Sequence, residues 1–193
     1  MITLEVLIIL LLIGLNGLFA MSEMAIVSAR RVRLQQRAAA GSRRAQAALD
    51  LAESPDRFLS TVQIGITLIG ILAGTFGGAT IAEELAGVLQ AVPWLARYGE
   101  AIGVLVVVLA ITYLSLVLGE LAPKRYALTD AERVAAAVAP LMQRLSRLAA
   151  PAVWLLSVST DLVLRLAGAR AAADAPVTEE DIKLMIEAGT QSG

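Results

Sequence analysis

Hydrophobic residues run almost unbroken through three stretches of the chain, and the charges stand at their ends. Between Glu5 and Glu23 lie 17 uncharged residues, between Arg57 and Glu83 lie 25, and between Glu100 and Glu120 lie 19. A helix needs roughly 17–25 apolar residues to cross the hydrocarbon core of a bilayer. Each interval therefore predicts one spanning helix. A secretory signal is a poor reading of the first, which lacks a basic start and has its Arg-rich stretch after the apolar run instead of before it. A fourth apolar stretch, LAAPAVWLLSVST, has only 13 residues between Arg147 and Asp161. That length, with Pro151 set to break its helix, predicts a re-entrant or interfacial segment. A fourth span tolerating Asp161 is the alternative. The expected fold is an all-α integral membrane protein with three transmembrane helices plus juxtamembrane or re-entrant helices.

Basic residues orient these spans. Seven arginines, from Arg30 to Arg57, lie between the first and second, and another basic group from Lys124 to Lys183 follows the third. The loop between the second and third has only Arg97 among Glu83, Glu84 and Glu100. The positive-inside rule then puts the N-terminus outside and both basic regions in the cytoplasm. Pro93, Trp94 and Tyr98 mark the outer interface, where amphipathic rings settle.

Three regions follow. Residues 1–128 form a three-span core with a cytoplasmic connecting helix, SARRVRLQQRAAAGSRRAQAALDLAESPDRF, with breaks expected at Gly41-Ser42 and Ser54-Pro55. Its arginines read either as topology determinants or as a surface-bound face. Residues 129–170 predict two or more amphipathic juxtamembrane helices, the first capped by a Thr129–Glu132 box. Residues 171–193 read as a linker in which TEED restarts a helix at Thr178, leading toward a further cytoplasmic domain.

Composition narrows the chemistry. Hydrophobic residues make up 58% of the chain, against about 45–50% in soluble domains. The sequence holds no Cys and no His, which removes disulfides, thiolate metal sites and the usual nucleophiles and general bases. A bound metal would need oxygen ligands, which suits hard cations. An enzyme is not expected, and nothing points to nucleic acid.

The polar residues inside the spans gather at the cytoplasmic ends. Asn16 and Glu23 are seven apart and share a helix face. Ser60, Gln63, Thr67, Gly70 and Gly74 form a second stripe, and Thr112, Ser115 and Gly119 a third. Hydroxyls of this kind often bond only to their own backbone, and Gly70, Gly74 and Gly78 equally suit close helix packing between two copies of the chain. Glu23, nearer the surface, reads as an interfacial charge of smaller weight. Glu120 stands out, because a carboxylate in a span is costly. Pro123 denies a hydrogen bond to the Gly119 carbonyl, four residues back. A freed carbonyl beside a carboxylate suits a dehydrating hard cation.

Taken together, LNGLFAMSEMAIVSARRVRLQQRA, FLSTVQIGITLIGILAG and LGELAPKRYAL resemble the transmembrane (DUF21) domain of the CorC/CNNM family of magnesium transporters. The tail VTEEDIKLMIEAGTQSG is similar to the linker before that family's paired CBS domains, which are absent from this sequence. The resemblance implies a homodimer in the plasma membrane, with Mg²⁺ held between the spans in an inward-facing state and moved outward, Na⁺ being the candidate coupling ion. The family's small-Glu-x-x-Pro pattern falls on Gly119, Glu120 and Pro123, with Lys124 following. Its first-motif serine falls on Ser22, and its polar-glycine element on Gln63, Gly65 and Thr67. Animal relatives carry asparagine near Ile66, and this sequence departs from them there. The implied Mg²⁺ ligands are Glu120, the Gly119 carbonyl, Ser22 and oxygens around Gly65 and Thr67. Asn16 stands nearby, with Gln63, Pro123, Lys124 and Glu23 supporting. The competing expectation is a membrane anchor and dimerisation scaffold for a cytoplasmic regulatory domain.

Overall fold

The computed structural model describes residues 2–78, 80–91 and 97–167. These are helical with short joints: α1 (Ile2–Ser28), α2 (Arg31–Ala39), α3 (Arg43–Glu53), α4 (Pro55–Gly78), α5 (Thr80–Gln90) and α6 (Gly99–Leu116). A π turn (Val117–Leu121), α7 (Ala122–Thr129) and α8 (Ala131–Leu166) complete the order. Pro93, Trp94 and everything after Ala167, including the linker from 171 and the box at Thr178, lie outside the described residues. Residues up to Val153 form one compact unit, and Trp154 onward a second.

Four helical stretches are long and apolar enough to cross a membrane: Thr3–Ser28, Pro55–Gln90, Gly99–Thr129 and Ala131–Leu166. Charge-free intervals had indicated three. The difference is α8, one helix of 36 residues with Pro140 and Pro151 inside it. It replaces the two or more short helices expected after Thr129, and Pro151 does not break it. Each proline removes one backbone bond, while the rest of the ladder holds. In an apolar setting an interrupted backbone would be costlier still, because lipid offers no hydrogen-bond partners. The expected capping box is also corrected. Asp130 accepts from the Arg133 backbone N–H at 3.1 Å, whereas the Thr129 hydroxyl donates back to the Tyr126 carbonyl.

The basic end of the first unit has a core of its own. Ala25, Leu34, Ala45, Ala48, Phe58, Val62, Ala135, Ala139 and Met142 are all buried there. Buried side chains of α1, α2, α3, α4 and α8, many of them alanines, share this core. Both expected breaks in the connecting region are present. Gly41 takes φ +92° and Ser42 caps α3 by accepting from Ala45 N–H at 3.2 Å, while Pro55 opens α4. Toward the other end the packing thins, and Leu7, Leu11, Leu68, Ile71, Leu105 and Leu109 are exposed. Apolar surface of this extent suits lipid as the solvent. There α5 and α6 touch backbone to backbone: a Cβ on Gly103 would stand 2.9 Å from the Ala82 carbonyl oxygen. By contrast a Cβ built on Gly70 or Gly74 meets nothing within 4 Å among the described residues.

Candidate functional site

Pro123 explains the π turn. It has no N–H, and in an α-helix its ring would press on the carbonyl four residues back, Gly119. Widening the turn relieves that clash, and the Ala122 N–H accordingly donates to the Val117 carbonyl, five residues back. The register shift means that Pro123 supplies no donor to either Leu118 or Gly119. Single π turns of this kind are frequent at functional sites.

Helix α1 lies directly against this turn. Asn16 Nδ2 donates to the Gly119 carbonyl oxygen at 3.0 Å, joining residues 103 apart in sequence. A Cβ added to Gly119 would meet Asn16 Nδ2 at 3.2 Å and the Ile13 carbonyl oxygen at 3.3 Å. Gly17, which the sequence reading did not single out, is equally tight. Its Cβ would stand 3.0 Å from the Leu118 carbonyl oxygen and 3.0 Å from Pro123 Cγ. Two glycines, one on each side, thus let helix backbones meet where the hydrogen-bond ladder is irregular. The Asn16 Oδ1 is buried and has no hydrogen-bond partner among the described residues. A buried acceptor left unfilled is costly, and it stands beside the irregular carbonyls.

One turn further on, the charges converge. Lys124 Nζ lies 3.0 Å from Glu120 Oε1 and 3.4 Å from Glu23 Oε2, with all three side chains partly exposed. The Glu120–Lys124 pair follows from i, i+4 spacing on one helix face. Glu23 comes from α1, and only the packing of α1 on the turn brings it in. It is therefore part of the same charged cluster. No group of three or more Asp, Glu, His or Cys side chains able to hold a metal occurs among the described residues. Any cation here would rely on two carboxylates and neutral oxygens.

The other expected residues divide. Ser22, next to Glu23 on α1, is fully buried, and its hydroxyl donates to the Leu18 carbonyl at 2.6 Å. That gives it a local structural partner. Gly65 meets the Phe19 ring, whose Cζ is 2.6 Å from a built Cβ. This glycine makes room for an aromatic ring of α1. Gln63 and Thr67 flank it on the exposed side of α4. The structure thus brings Asn16, Glu23, Gly119, Glu120, Pro123 and Lys124 together and leaves Gln63 and Thr67 facing outward.

These features define a multi-pass α-helical membrane protein with a polar, two-carboxylate site beside an irregular helix. The chain belongs to the family described as cyclin M transmembrane N-terminal domain, which matches residues 7–193. It is 55% identical over 190 residues to a UPF0053 protein of Synechocystis sp., covering 98% of this chain and 42% of that relative. It is 31% identical over 184 residues to the UPF0053 protein YhdT of Bacillus subtilis, covering 94% of this chain and 40% of that protein. A protein of Haemophilus influenzae named polyamine export protein is 30% identical over 191 residues, covering 97% of this chain and 43% of that relative. The chain therefore spans less than half the length of these curated relatives.

Proposed function

We propose that this chain forms the membrane-embedded part of a plasma-membrane cation transporter. It works as a homodimer with its basic end toward the cytoplasm, and Mg²⁺ is its cargo, moved outward. The observation that carries this reading is the closure of Glu23 and Glu120 on one cationic group, Lys124 Nζ, from two different helices. Two carboxylates reaching one cation give a local negative field that a metal ion would share or take over. The unfilled Asn16 Oδ1 and the carbonyls of the π turn supply neutral oxygens close by. Mg²⁺ needs about six oxygens and keeps several of its waters when protein ligands are few. A site with two carboxylates and few fixed dipoles fits a partly hydrated ion better than a stripped one.

A second cargo has support of its own. Lys124 is a primary ammonium already seated between the two carboxylates, and that is the functional group a polyamine presents. A relative carries the name polyamine export protein. Proteoliposomes containing the purified chain would decide between them, with Mg²⁺ and spermidine flux measured separately. Glu120→Gln keeps the shape and removes the charge. It should weaken binding of the true cargo by about tenfold or more, the value of one charged contact. Flux of neither cation by the parent protein would favour a scaffold. Unchanged Mg²⁺ and spermidine binding by Glu120→Gln would remove this site assignment.

A further inference from the structure

We propose that a cleft at the basic end of the protein binds the phosphate of an acidic phospholipid headgroup. The cleft holds about 510 Å³ and lies where the end of α1, the start of α2 and the α7–α8 joint meet; Ser28, Arg30, Arg33, Arg37, Asp130 and Glu132 are among its lining residues. Arg33 and Arg37 are four apart and share one face of α2, and Arg30, the residue that precedes the helix, lines the same cleft from its N-terminal end. Arg31, between them, points elsewhere and donates to the Ala52 carbonyl at 3.1 Å. Three of four neighbouring arginines thus converge on one space while the fourth holds the helix in place.

Charge in the cleft is only partly cancelled. Glu132, largely buried, lies 3.8 Å from Arg33, a long contact to a guanidinium that stays mostly exposed. Asp130, which caps α8, adds a second negative charge, so three arginines face two carboxylates and one positive charge is left over. Arg30 and Arg37 make no ion pair among the described residues. An arginine fork is matched to phosphate oxygens and is less strongly hydrated than lysine. Soluble anions share that chemistry, but the surroundings favour a lipid. Val27, Val32 and Leu128 are exposed apolar residues on the helices that build the cleft. The cleft opens at the end of a span-length helix, on the side that charge bias assigns to the cytoplasmic leaflet. Basic groups at that boundary attract acidic headgroups.

Thermal unfolding of the full chain in detergent tests this, with dioctanoyl phosphatidylglycerol, dioctanoyl phosphatidylcholine or inorganic phosphate added. Phosphatidylglycerol should raise the midpoint of the parent protein, and the other two should not. The Arg30→Gln/Arg37→Gln variant should bind phosphatidylglycerol at least about tenfold more weakly per lost charged contact, while the exposed control Arg44→Gln binds it like the parent. If the double variant does not fold, Arg37→Gln alone carries the comparison, since its side chain is exposed on the last turn of α2. An equal shift in parent and variant would overturn the site. An equal shift from inorganic phosphate would overturn the lipid as its occupant.

Discussion

Gly17→Ala probes the contact on which the candidate site depends. A Cβ at this position would stand 3.0 Å from the Leu118 carbonyl oxygen and 3.0 Å from Pro123 Cγ, where ordinary contact begins near 3.4 Å. Neither neighbour is the free end of a flexible side chain. One is backbone in the π turn, and the other is a proline ring fused to it. Helix α1 must therefore shift away by a few tenths of an ångström. Overpacking of this kind costs about 1–3 kcal/mol, while replacing Gly by Ala inside a helix gains about 0.5–1 kcal/mol. The expected net loss is about 0–2.5 kcal/mol. Gly14→Ala, one turn earlier on the same helix, is the matched control, because nothing lies within 4 Å of its built Cβ. It should show the helix gain alone. The two variants should then differ by about 1–3 kcal/mol. At about 2–4 °C per kcal/mol for a chain of this size, that is about 2–12 °C in unfolding midpoint. Thermal unfolding by circular dichroism in one detergent measures it. Gly17→Ala should also loosen the Asn16–Gly119 hydrogen bond and lower cation affinity with it. If Gly17→Ala unfolds at or above the midpoint of Gly14→Ala, α1 does not rest on the π turn as described.

Other expectations follow from the same contacts. Lys124→Met removes the positive charge between Glu23 and Glu120, so added Mg²⁺ should bind more tightly. For partly exposed pairs the gain is about 0.5–1 kcal/mol, a few-fold in Kd by calorimetric titration; weaker binding would make Lys124 a structural clasp. The proposed homodimer can be tested at Gly70 and Gly74, which have nothing within 4 Å in one chain. Leucine at either position should cut the yield of chemically crosslinked dimer while leaving the monomer's unfolding midpoint near that of the parent, and an unchanged yield would place the interface elsewhere. For α8, cysteines at Asp130 and Ala167 should both react with an impermeant reagent from the cytoplasmic side if the positive-inside reading holds. Reaction from opposite sides would make α8 a fourth span.

Much of the architecture was open to reading from residue order alone, because spans and charges are one-dimensional properties. The lengths of the apolar runs, the clustering of arginines and the breaks at Gly41-Ser42 and Ser54-Pro55 depend on local composition and backbone chemistry. Pro123 announced an irregular helix near Glu120, since a missing N–H acts on carbonyls a fixed distance back. Sequence could not say whether the turn would tighten, kink or widen, and widening brought Leu118 into the same position as Gly119. Glu120–Lys124 pairing was implicit in i, i+4 spacing, but Glu23 joins them only because two helices far apart in sequence pack together. The same holds for the Asn16–Gly119 bond and for the demand for glycine at 17 and 65, which comes from a carbonyl, a proline ring and a phenyl ring on neighbouring helices. Continuity of α8 through Pro140 and Pro151 was likewise beyond local rules. Those rules weigh one lost hydrogen bond, whereas the folded helix keeps the rest of its ladder on both sides of each proline.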